Sequence, residues 1–362
     1  MAVTAKQADR MVPVTILTGF LGAGKTTLLK RILTEFHGQR IAVIENEFGP
    51  ESIDNELLVQ ESDEQIIELN NGCICCTVRG DLMRTLSDLR SKRESGEIHF
   101  DRVVIETTGM ANPGPVCQTF FMDDYVAEYY RLDGVITIVD AKHGMEILDR
   151  QTEAQAQVGF ADRILISKKD LVSEAEYESL RHRLIKMNPR VSISAVHFGD
   201  ADLNELLDMK GFNLNSALEI DPDFLKIEED AHAHHDHHHH HEHDHDHECD
   251  EHCGHEHHHH HHHDDEIGAF VFNSDQPFDP YKLDDFLAGL VQFYGPDMYR
   301  YKGILYIKGI RQRMLLQGVH MLLGTEPGKA WGSEKPYNKL VFIGKKLPKD
   351  IFLAGLKNCL TK

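Results

Sequence analysis

Three of the chain's seven cysteines lie within four positions of one short segment, NNGCICCTVRG. They are Cys73, Cys75 and Cys76, and we call this segment the thiol loop. Thiolates are soft ligands that suit Zn²⁺ or Cu⁺, and a structural zinc site normally has four Cys or His ligands. Three thiols therefore predict a metal site with an open fourth position, which suits a site that releases its metal. The alternative is a group of inert, buried cysteines.

Acidic residues precede the thiol loop in the sequence IENEFGPESID. Glu45 and Glu47 follow a predicted strand, and either could complete the metal site or contact Mg²⁺. Water or a partner protein could also fill the open position. The alternative for the two glutamates is a solvated acidic loop.

A second group of residues, GFLGAGKTT at positions 19–27, has the spacing of a phosphate-binding loop. It follows the apolar run VTILT and precedes the helix-like LLKRILTEF, which is the context that such a loop requires. Glycines allow backbone N–H groups to face phosphate oxygens, and the helix N-terminus adds a positive dipole end. Lys25 would neutralise the β- and γ-phosphates, and the Thr26 hydroxyl would bind Mg²⁺.

Two further strand ends could act on the γ-phosphate. In DRVVIETTG, Glu106 could orient the Mg²⁺ shell or the attacking water, and Gly109 could donate its N–H to the γ-phosphate. The alternative is a strand followed by a glycine turn. Asp140, which ends GVITIVD, is another candidate, or else an aspartate that caps the end of a strand.

The run SKKD at positions 167–170 follows the apolar RILI and predicts the base site. The Asp170 carboxylate can accept hydrogen bonds from the guanine N1–H and amino group, whereas adenine presents an acceptor at that edge. The predicted nucleotide is therefore GTP. Lys168 would lie along the base, and Ser194 with Ala195 could bring a backbone N–H to the guanine oxygen. The alternative for SKKD is an ordinary helix start.

Six apolar runs alternate with helix-like segments between residues 13 and 212. Such alternation predicts a mainly parallel sheet with helices on both faces, and we expect an α/β domain over residues 1–220. From residue 267 to 362 the pattern predicts a small α+β domain with a mostly antiparallel sheet and its helices on one face. The six runs are VTILTG, RIAVIEN, RVVIETTG, GVITIVDA, RILISK and VSISAV.

Residues 227–266 separate the two predicted domains and contain twenty histidines and fourteen Asp or Glu residues, with no Lys or Arg. We call this segment the histidine-rich linker. Because it has almost no apolar surface to bury, the sequence predicts that it is disordered. Imidazoles and carboxylates at this density bind divalent transition metals, and Cys249 and Cys253 add two softer ligands.

Composition excludes some partners and compartments. The formal net charge of −21 comes mostly from the histidine-rich linker. The remaining chain has no strong basic stripe, which argues against nucleic acid or membrane as a partner. The N-terminus lacks the apolar run of a signal peptide, and no segment is long enough to cross a bilayer. The expected location is the cytoplasm, where clustered cysteines bind metal more often than they form disulfides.

Together, GFLGAGKTT, ENEFG, NGCICC, ETTG and S-K-x-D resemble the motif set of the CobW-like GTPase metallochaperones, which include zinc-type GTPase metalloprotein activators. The resemblance implies a P-loop GTPase domain joined to a small C-terminal domain. It implies hydrolysis of GTP to GDP and phosphate, coupled to delivery of a transition metal, most often zinc, to a client metalloprotein. The C-x-C-C hallmark of the family falls on Cys73, Cys75 and Cys76.

The resemblance also assigns roles to individual residues. Glu106 and Gly109 act at the γ-phosphate, Lys25 and Thr26 act on phosphate and Mg²⁺, and Asp170 binds guanine. Many members have Asn at the position of Ser167, and many continue EFG with Glu where this chain has proline. The nucleotide-binding residues predicted from spacing and resemblance together are Gly19, Gly22, Ala23, Gly24, Lys25, Thr26, Thr27, Ser167, Lys168 and Asp170.

Three functions are compatible with these features. The first is a GTPase that loads Zn²⁺, or else Co²⁺ or Ni²⁺, on the thiol loop in one nucleotide state and releases it in another. The second is a metal buffer based on the histidine-rich linker, with a slow GTPase. The third is a small-molecule kinase, for which the sequence indicates no second substrate pocket. A metal-dependent dimer is the oligomeric state that we consider.

Overall fold

The structure is a computed structural model that describes residues 11–35, 38–45, 78–207, 209 and 265–361. The thiol loop, Glu47 and the histidine-rich linker up to residue 264 lie outside these ranges. The predicted domain limits at residues 220 and 227 lie outside them as well.

The first sheet contains six parallel strands, which are β1 (Val12–Gly19), β2 (Ile41–Glu45), β3 (Arg102–Glu106), β4 (Tyr130–Asp140), β5 (Arg163–Ser167) and β6 (Ser192–Ala195). Their order across the sheet is β2-β3-β1-β4-β5-β6. These are the six apolar runs that predicted strands. Four consecutive residues of β1, from Val14 to Leu17, are fully buried, so both faces of the sheet are covered.

Helices follow most of these strands and cover the sheet. The helix Thr152–Phe160 is buried at every position from 154 to 160, so this part of it presents no face to solvent. A short 3-10 helix, Lys169–Leu171, follows β5. The helices are α1 (Lys25–Thr34), α2 (Val78–Glu94), α3 (Gly114–Met122), α4 (Asp124–Tyr129), α5 (Gly144–Arg150), α6 (Thr152–Phe160), α7 (Glu174–Met187) and α8 (Leu203–Leu206).

The second sheet contains five antiparallel strands, which are β7 (Ile267–Ser274), β8 (Met298–Leu305), β9 (Gln312–Val319), β10 (Leu322–Ala330) and β11 (Asn338–Lys345). Their order is β10-β9-β8-β11-β7. Helices α9 (Pro280–Tyr294) and α10 (Lys349–Asn358) accompany this sheet. The fold class predicted from the sequence is confirmed.

Alternate residues of the second sheet belong to two different cores. Phe270 and Phe342 pack with Phe352 of α10 in one hydrophobic cluster. Their neighbours in sequence, Val271 and Val341, belong to the cluster that contains the core of the first sheet. Because successive side chains of a strand point to opposite faces, the second sheet is covered by its own helices on one face and by the first domain on the other.

Strand β10 is an element that the sequence analysis did not predict. Its sequence, LLGTEPGKA, contains two glycines and a proline and shows no apolar alternation. It lies at the edge of the sheet, mostly exposed, and its register with β9 shifts between Pro327 and Ala330. An edge strand tolerates proline because one side of its backbone makes no ladder hydrogen bonds. Pairing with β9 therefore outweighs the unfavourable local composition.

Buried polar contacts join the two sheets beside α6. The Arg300 guanidinium on β8 donates to Asp162 at 2.8 and 3.0 Å and to the Phe160 carbonyl oxygen at 3.2 Å. The Phe160 ring stacks on Tyr299, with ring centroids 4.8 Å apart. The Gln155 side chain accepts the Glu266 N–H at 2.9 Å. The C-terminal end of α6 is therefore fixed to the second domain.

Candidate nucleotide-binding site

The predicted phosphate-binding loop, or P-loop, lies between the end of β1 and the start of α1. Gly19, Gly22 and Gly24 have φ angles of 143°, 70° and 104°, a region that favours glycine over other residues. A Cβ atom at Gly19 would lie 2.3 Å from the Ile138 carbonyl oxygen on β4. The backbone conformation and the close packing both require glycine, as the spacing predicted.

Lys25 lies across this loop. Its side chain is buried, and its ammonium group donates to the carbonyl oxygens of Gly19 and Phe20, both at 3.1 Å. Burial lowers the pKa of Lys25, and the nearby Glu106 carboxylate acts in the opposite direction. The lysine is thus held in the loop by weak neutral acceptors that phosphate oxygens can replace. Thr26, half-buried, and Thr27, exposed, follow it in the first turn of α1.

Two carboxylates stand side by side at the ends of neighbouring strands. Glu45 ends β2, Glu106 ends β3, and the two residues are direct partners in the parallel register. Both are half-buried. Mg²⁺ in nucleotide sites is usually held by one or two carboxylates together with phosphate oxygens. Glu106, Glu45 and the Thr26 hydroxyl fit that requirement.

The turn after β3 packs directly against the P-loop. The Thr107 hydroxyl donates to the Thr18 hydroxyl at 2.8 Å, which ties the end of β3 to the end of β1. A Cβ atom at Gly109 would lie 2.7 Å from the Leu21 Cα atom of the P-loop. Gly109 is therefore required for close approach of the two loops, which is consistent with its predicted place at the γ-phosphate.

Gln157 on α6 holds the same turn from the other side, and the sequence analysis did not single it out. Its Nε2 atom donates to the carbonyl oxygens of Gly109, at 3.2 Å, and Ala111, at 2.9 Å. No motif marks this glutamine. The sequence signal that could have indicated it is a polar residue at the centre of a run of mostly small or apolar residues, AQAQVGF at positions 154–160.

The loop at residues 167–170, which is the predicted base site and is called the base loop here, is joined to the P-loop by a hydrogen bond. The Ser167 hydroxyl donates to the Ala23 carbonyl oxygen at 2.7 Å, so this residue, which was predicted to bind the base, also bridges the two loops. Lys168 has a left-handed backbone, with φ of 57°. Its ammonium group donates to the Asp140 carboxylate at 2.7 Å.

Asp140 organises the base loop and caps the turn that follows β4. Its carboxylate accepts the Lys142 N–H at 2.8 Å and lies 3.1 Å from the His143 ring. Burial acts to raise the pKa of Asp140, but the hydrogen bonds from Lys168, His143 and the Lys142 N–H outweigh it and lower the pKa. Of the two interpretations of Asp140, the capping one fits these contacts.

Asp170 and the loop after β6 lie together at the outer end of the site. The Asp170 side chain is about half exposed, and its carboxylate lies 3.5 Å from the His197 ring. His197 packs edge-on against Phe198, with ring centroids 4.5 Å apart. Ser194 and Ala195 end β6 directly before this loop. An exposed carboxylate beside aromatic rings is an arrangement that can receive a purine edge.

Two regions of the chain match known domain families. Residues 13–195 match the family described as CobW/HypB/UreG, nucleotide-binding domain. This chain belongs to the CobW/HypB/UreG family. Residues 267–360 match the cobalamin synthesis protein cobW C-terminal domain. The first match includes the P-loop, Glu106 and the run SKKD.

One relative within this CobW family extends over nearly the full chain, and another matches little more than half of it. It is 41% identical over 345 residues to the zinc chaperone YjiA of Escherichia coli, covering 95% of this chain and 97% of that protein. It is 39% identical over 208 residues to zinc-regulated GTPase metalloprotein activator 1 of Schizosaccharomyces pombe, covering 56% of this chain and 50% of that protein. The crystal structure of Zn(II)-bound YjiA GTPase superposes with a TM-score of 0.74 at 38% identity and covers 97% of this chain and 99% of that chain.

Most of the metal ligands predicted for this CobW-family chain lie outside the described residues. The ones that lie outside are Cys73, Cys75, Cys76 and Glu47. Glu45 is described, and it lies beside Glu106 at the nucleotide site. Among the residues that the structure describes, no group of three or more His, Cys, Asp or Glu side chains is arranged to bind a metal ion.

Two other cysteines, each isolated in the sequence, lie in the hydrophobic clusters of the two domains. Cys117 and Cys359 are buried and unpaired thiols. Burial raises the pKa of the Cys117 thiol to about 12. A thiol that resists ionisation binds metal poorly, because the thiolate is the ligand.

None of the helices in the described ranges is both long and apolar enough to cross a membrane.

Proposed function

We propose that this protein is a GTP-hydrolysing zinc chaperone that holds Zn²⁺ on the thiol loop and delivers it to a client metalloprotein. The observation that carries the proposal is the similarity to a zinc chaperone over 95% of this chain. The hydrogen bonds of Lys25 within the P-loop and of Ser167 to the P-loop support the nucleotide-binding part of the proposal. Its expected location is the cytoplasm. The client is a protein that takes up a transition metal, and a metal-dependent dimer remains part of the hypothesis.

The nucleotide half of the proposal follows from the site geometry. Lys25 exchanges its two backbone acceptors for phosphate oxygens, which gains charge-assisted hydrogen bonds. Glu106 orients the attacking water, and the Gly109 N–H faces the γ-phosphate. Asp170 accepts the guanine edge. Mg²⁺, held by Thr26 with Glu106 or Glu45, would neutralise charge on the phosphates.

The metal half rests on the position of the thiol loop in the chain. Cys73, Cys75 and Cys76 belong to the segment that runs from the end of β2 to α2, and Glu45 stands at the start of that segment. We infer that Glu45 or Glu47 completes the zinc site. Since Glu45 pairs with Glu106, a zinc ion bound at Glu45 would lie beside the proposed γ-phosphate site. This adjacency supports coupling between nucleotide state and zinc affinity.

A zinc titration tests the coupling. Zinc affinity is measured by competition with a chelator, with GDP or with a non-hydrolysable GTP analogue bound. We expect different affinities in the two states, and the difference should vanish in a C75S/C76S variant. A C249S/C253S variant in the histidine-rich linker is the matched control and should keep it. Equal affinities in the wild-type protein would defeat the proposed coupling.

A metal buffer is the second candidate, because twenty histidines in the linker far exceed what a single zinc site needs. Deletion of residues 231–263 separates the two candidates. A buffer loses most of its zinc capacity in equilibrium dialysis, whereas a chaperone keeps the nucleotide-dependent site. The same titrations with Co²⁺ and Ni²⁺ decide between zinc and the alternative cargo metals.

A further inference from the structure

Gln157 is anchored by its backbone to the centre of the first sheet. Its carbonyl oxygen accepts the Thr137 hydroxyl at 2.8 Å, and Thr137 on β4 is the register partner of Thr18 on β1. Thr18 immediately precedes the P-loop. The Cα position of Gln157 is therefore fixed relative to the P-loop through one strand pairing and one buried hydrogen bond.

The Gln157 side chain extends from this anchor to the turn at residues 108–111. That turn is closed by a hydrogen bond from the Ala111 N–H to the Thr108 carbonyl oxygen at 3.1 Å. Because N–H and C=O of a trans peptide point in opposite directions, the Gly109 N–H points out of the turn. The two bonds from Nε2 to the Gly109 and Ala111 carbonyl oxygens fix the peptides that follow Gly109 and Ala111, and they therefore hold in place the turn whose first peptide carries the Gly109 N–H.

The Gln157 amide is committed to this turn. It is fully buried, and its Oε1 atom has no hydrogen-bond partner among the described residues. An unpaired buried acceptor costs stability, so its presence calls for an explanation. A glutamine at this position supplies two N–H donors to the turn, which no apolar side chain could do. The unpaired Oε1 atom belongs to the same amide group and is buried together with the two donors.

We propose that Gln157 is a positioning residue for GTP hydrolysis, which holds the turn at residues 108–111 so that the Gly109 N–H meets the γ-phosphate. Contact with Leu21 limits the turn on the P-loop side, and Gln157 limits it on the α6 side. This inference rests on the proposed GTPase function. It adds a residue that touches neither nucleotide nor metal.

Substitution of Gln157 tests the proposal, with Gln155 as the matched control. Gln155 lies on the same helix, is also buried, and bonds the Leu148 carbonyl and the Glu266 N–H instead of the turn. Q157M keeps the length of the side chain and removes both donors. Q157N keeps the amide but cannot reach both carbonyls, and it serves if Q157M does not fold. Q155M removes a comparable set of bonds at the domain junction.

Steady-state GTP hydrolysis, GDP affinity and the thermal midpoint are measured for each full-length variant. We expect kcat to fall about 10- to 100-fold in Q157M and Q157N because the reacting groups are misplaced. KM and GDP affinity should change less than about threefold, since GDP lacks the γ-phosphate. Q155M should lower the thermal midpoint and keep kcat within about threefold.

Two results would overturn the inference. One is an unchanged kcat in both Gln157 variants, and the other is an equal loss of kcat in Q155M, which would indicate a purely structural role. Absence of hydrolysis by the wild-type protein would instead defeat the proposed function. The two failures are therefore distinguishable.

Discussion

The P-loop and the second sheet each bury a lysine, and the two lysines differ in their neighbours. Lys25 is 8% exposed and Lys302 on β8 is 3% exposed. Burial is the largest cause that lowers the pKa of each. Glu106 acts to raise the pKa of Lys25, whereas at Lys302 burial, Arg190 and Arg300 together outweigh the opposite effect of Asp162 and lower the pKa to about 7. Burial alone therefore does not identify a functional lysine, and what differs between the two is the pair of arginines near Lys302.

The largest effect is expected from removal of the P-loop lysine. Lys25→Ala should lower the rate of GTP hydrolysis about 100- to 1,000-fold, because the developing phosphate charge loses its positive partner. Zinc binding at the thiol loop should persist. Phosphate release and a zinc titration measure the two properties. Lys30→Ala on the same helix is the control, and a comparable loss of rate in that variant would contradict the assignment.

The next effect concerns Glu106, the carboxylate near Lys25. Glu106→Gln should reduce kcat about 10- to 100-fold, since the attacking water loses an orienting base. It should leave GDP affinity within about threefold. Single-turnover hydrolysis beside GDP titration separates these outcomes. An unchanged rate would show that another group, such as Glu45, activates the water.

The neighbours of Lys302 should matter for stability and not for catalysis. Arg300→Met leaves the buried Asp162 carboxylate without its ion-pair partner, and the free energy of unfolding should fall by about 3 to 5 kcal/mol. Denaturant unfolding measures this loss. The exposed pair of Lys335 and Asp275 provides a control, since Lys335→Met should leave the denaturation midpoint unchanged. A comparable loss in both variants would contradict the argument.

The smallest effect is a pH dependence that originates from Lys302. Its folded pKa of about 7 lies below the ordinary value of 10.5, so above about pH 7 the unfolded chain binds more protons than the folded one. Stability contributed by this group therefore rises with pH between about 7 and 10. The stability of wild type relative to Lys302→Met should increase from pH 6 to pH 9. A difference that is constant with pH would show that the Lys302 pKa is not lowered.

The sequence predicted most of the first domain because its signals are local. The P-loop spacing and the six strands of the first sheet are readable from neighbouring residues, and Gly19 has the left-handed turn conformation that the spacing predicted. Contacts across the fold were not readable. The Ser167 bond to Ala23 and the two bonds from Gln157 join residues far apart in sequence, and no spacing rule encodes them.

The second domain contains a strand whose local sequence did not predict it. Strand β10 was missed because tertiary pairing overrides its glycine and proline content.

The predictions for Cys73, Cys75, Cys76 and Glu47 remain predictions, since those residues lie outside the described ranges. Asp140 was left between two roles because the sequence does not show that Lys168 folds back onto it.

The register pairing of Glu45 with Glu106 also has an electrostatic consequence. Neighbouring strands lie about 4.8 Å apart, and two unit charges at that distance interact by about 3 kcal/mol at an effective dielectric constant of 20. An energy of that size corresponds to roughly a hundredfold change in a binding constant. A cation bound beside the two strand ends would therefore relieve repulsion of that order between Glu45 and Glu106.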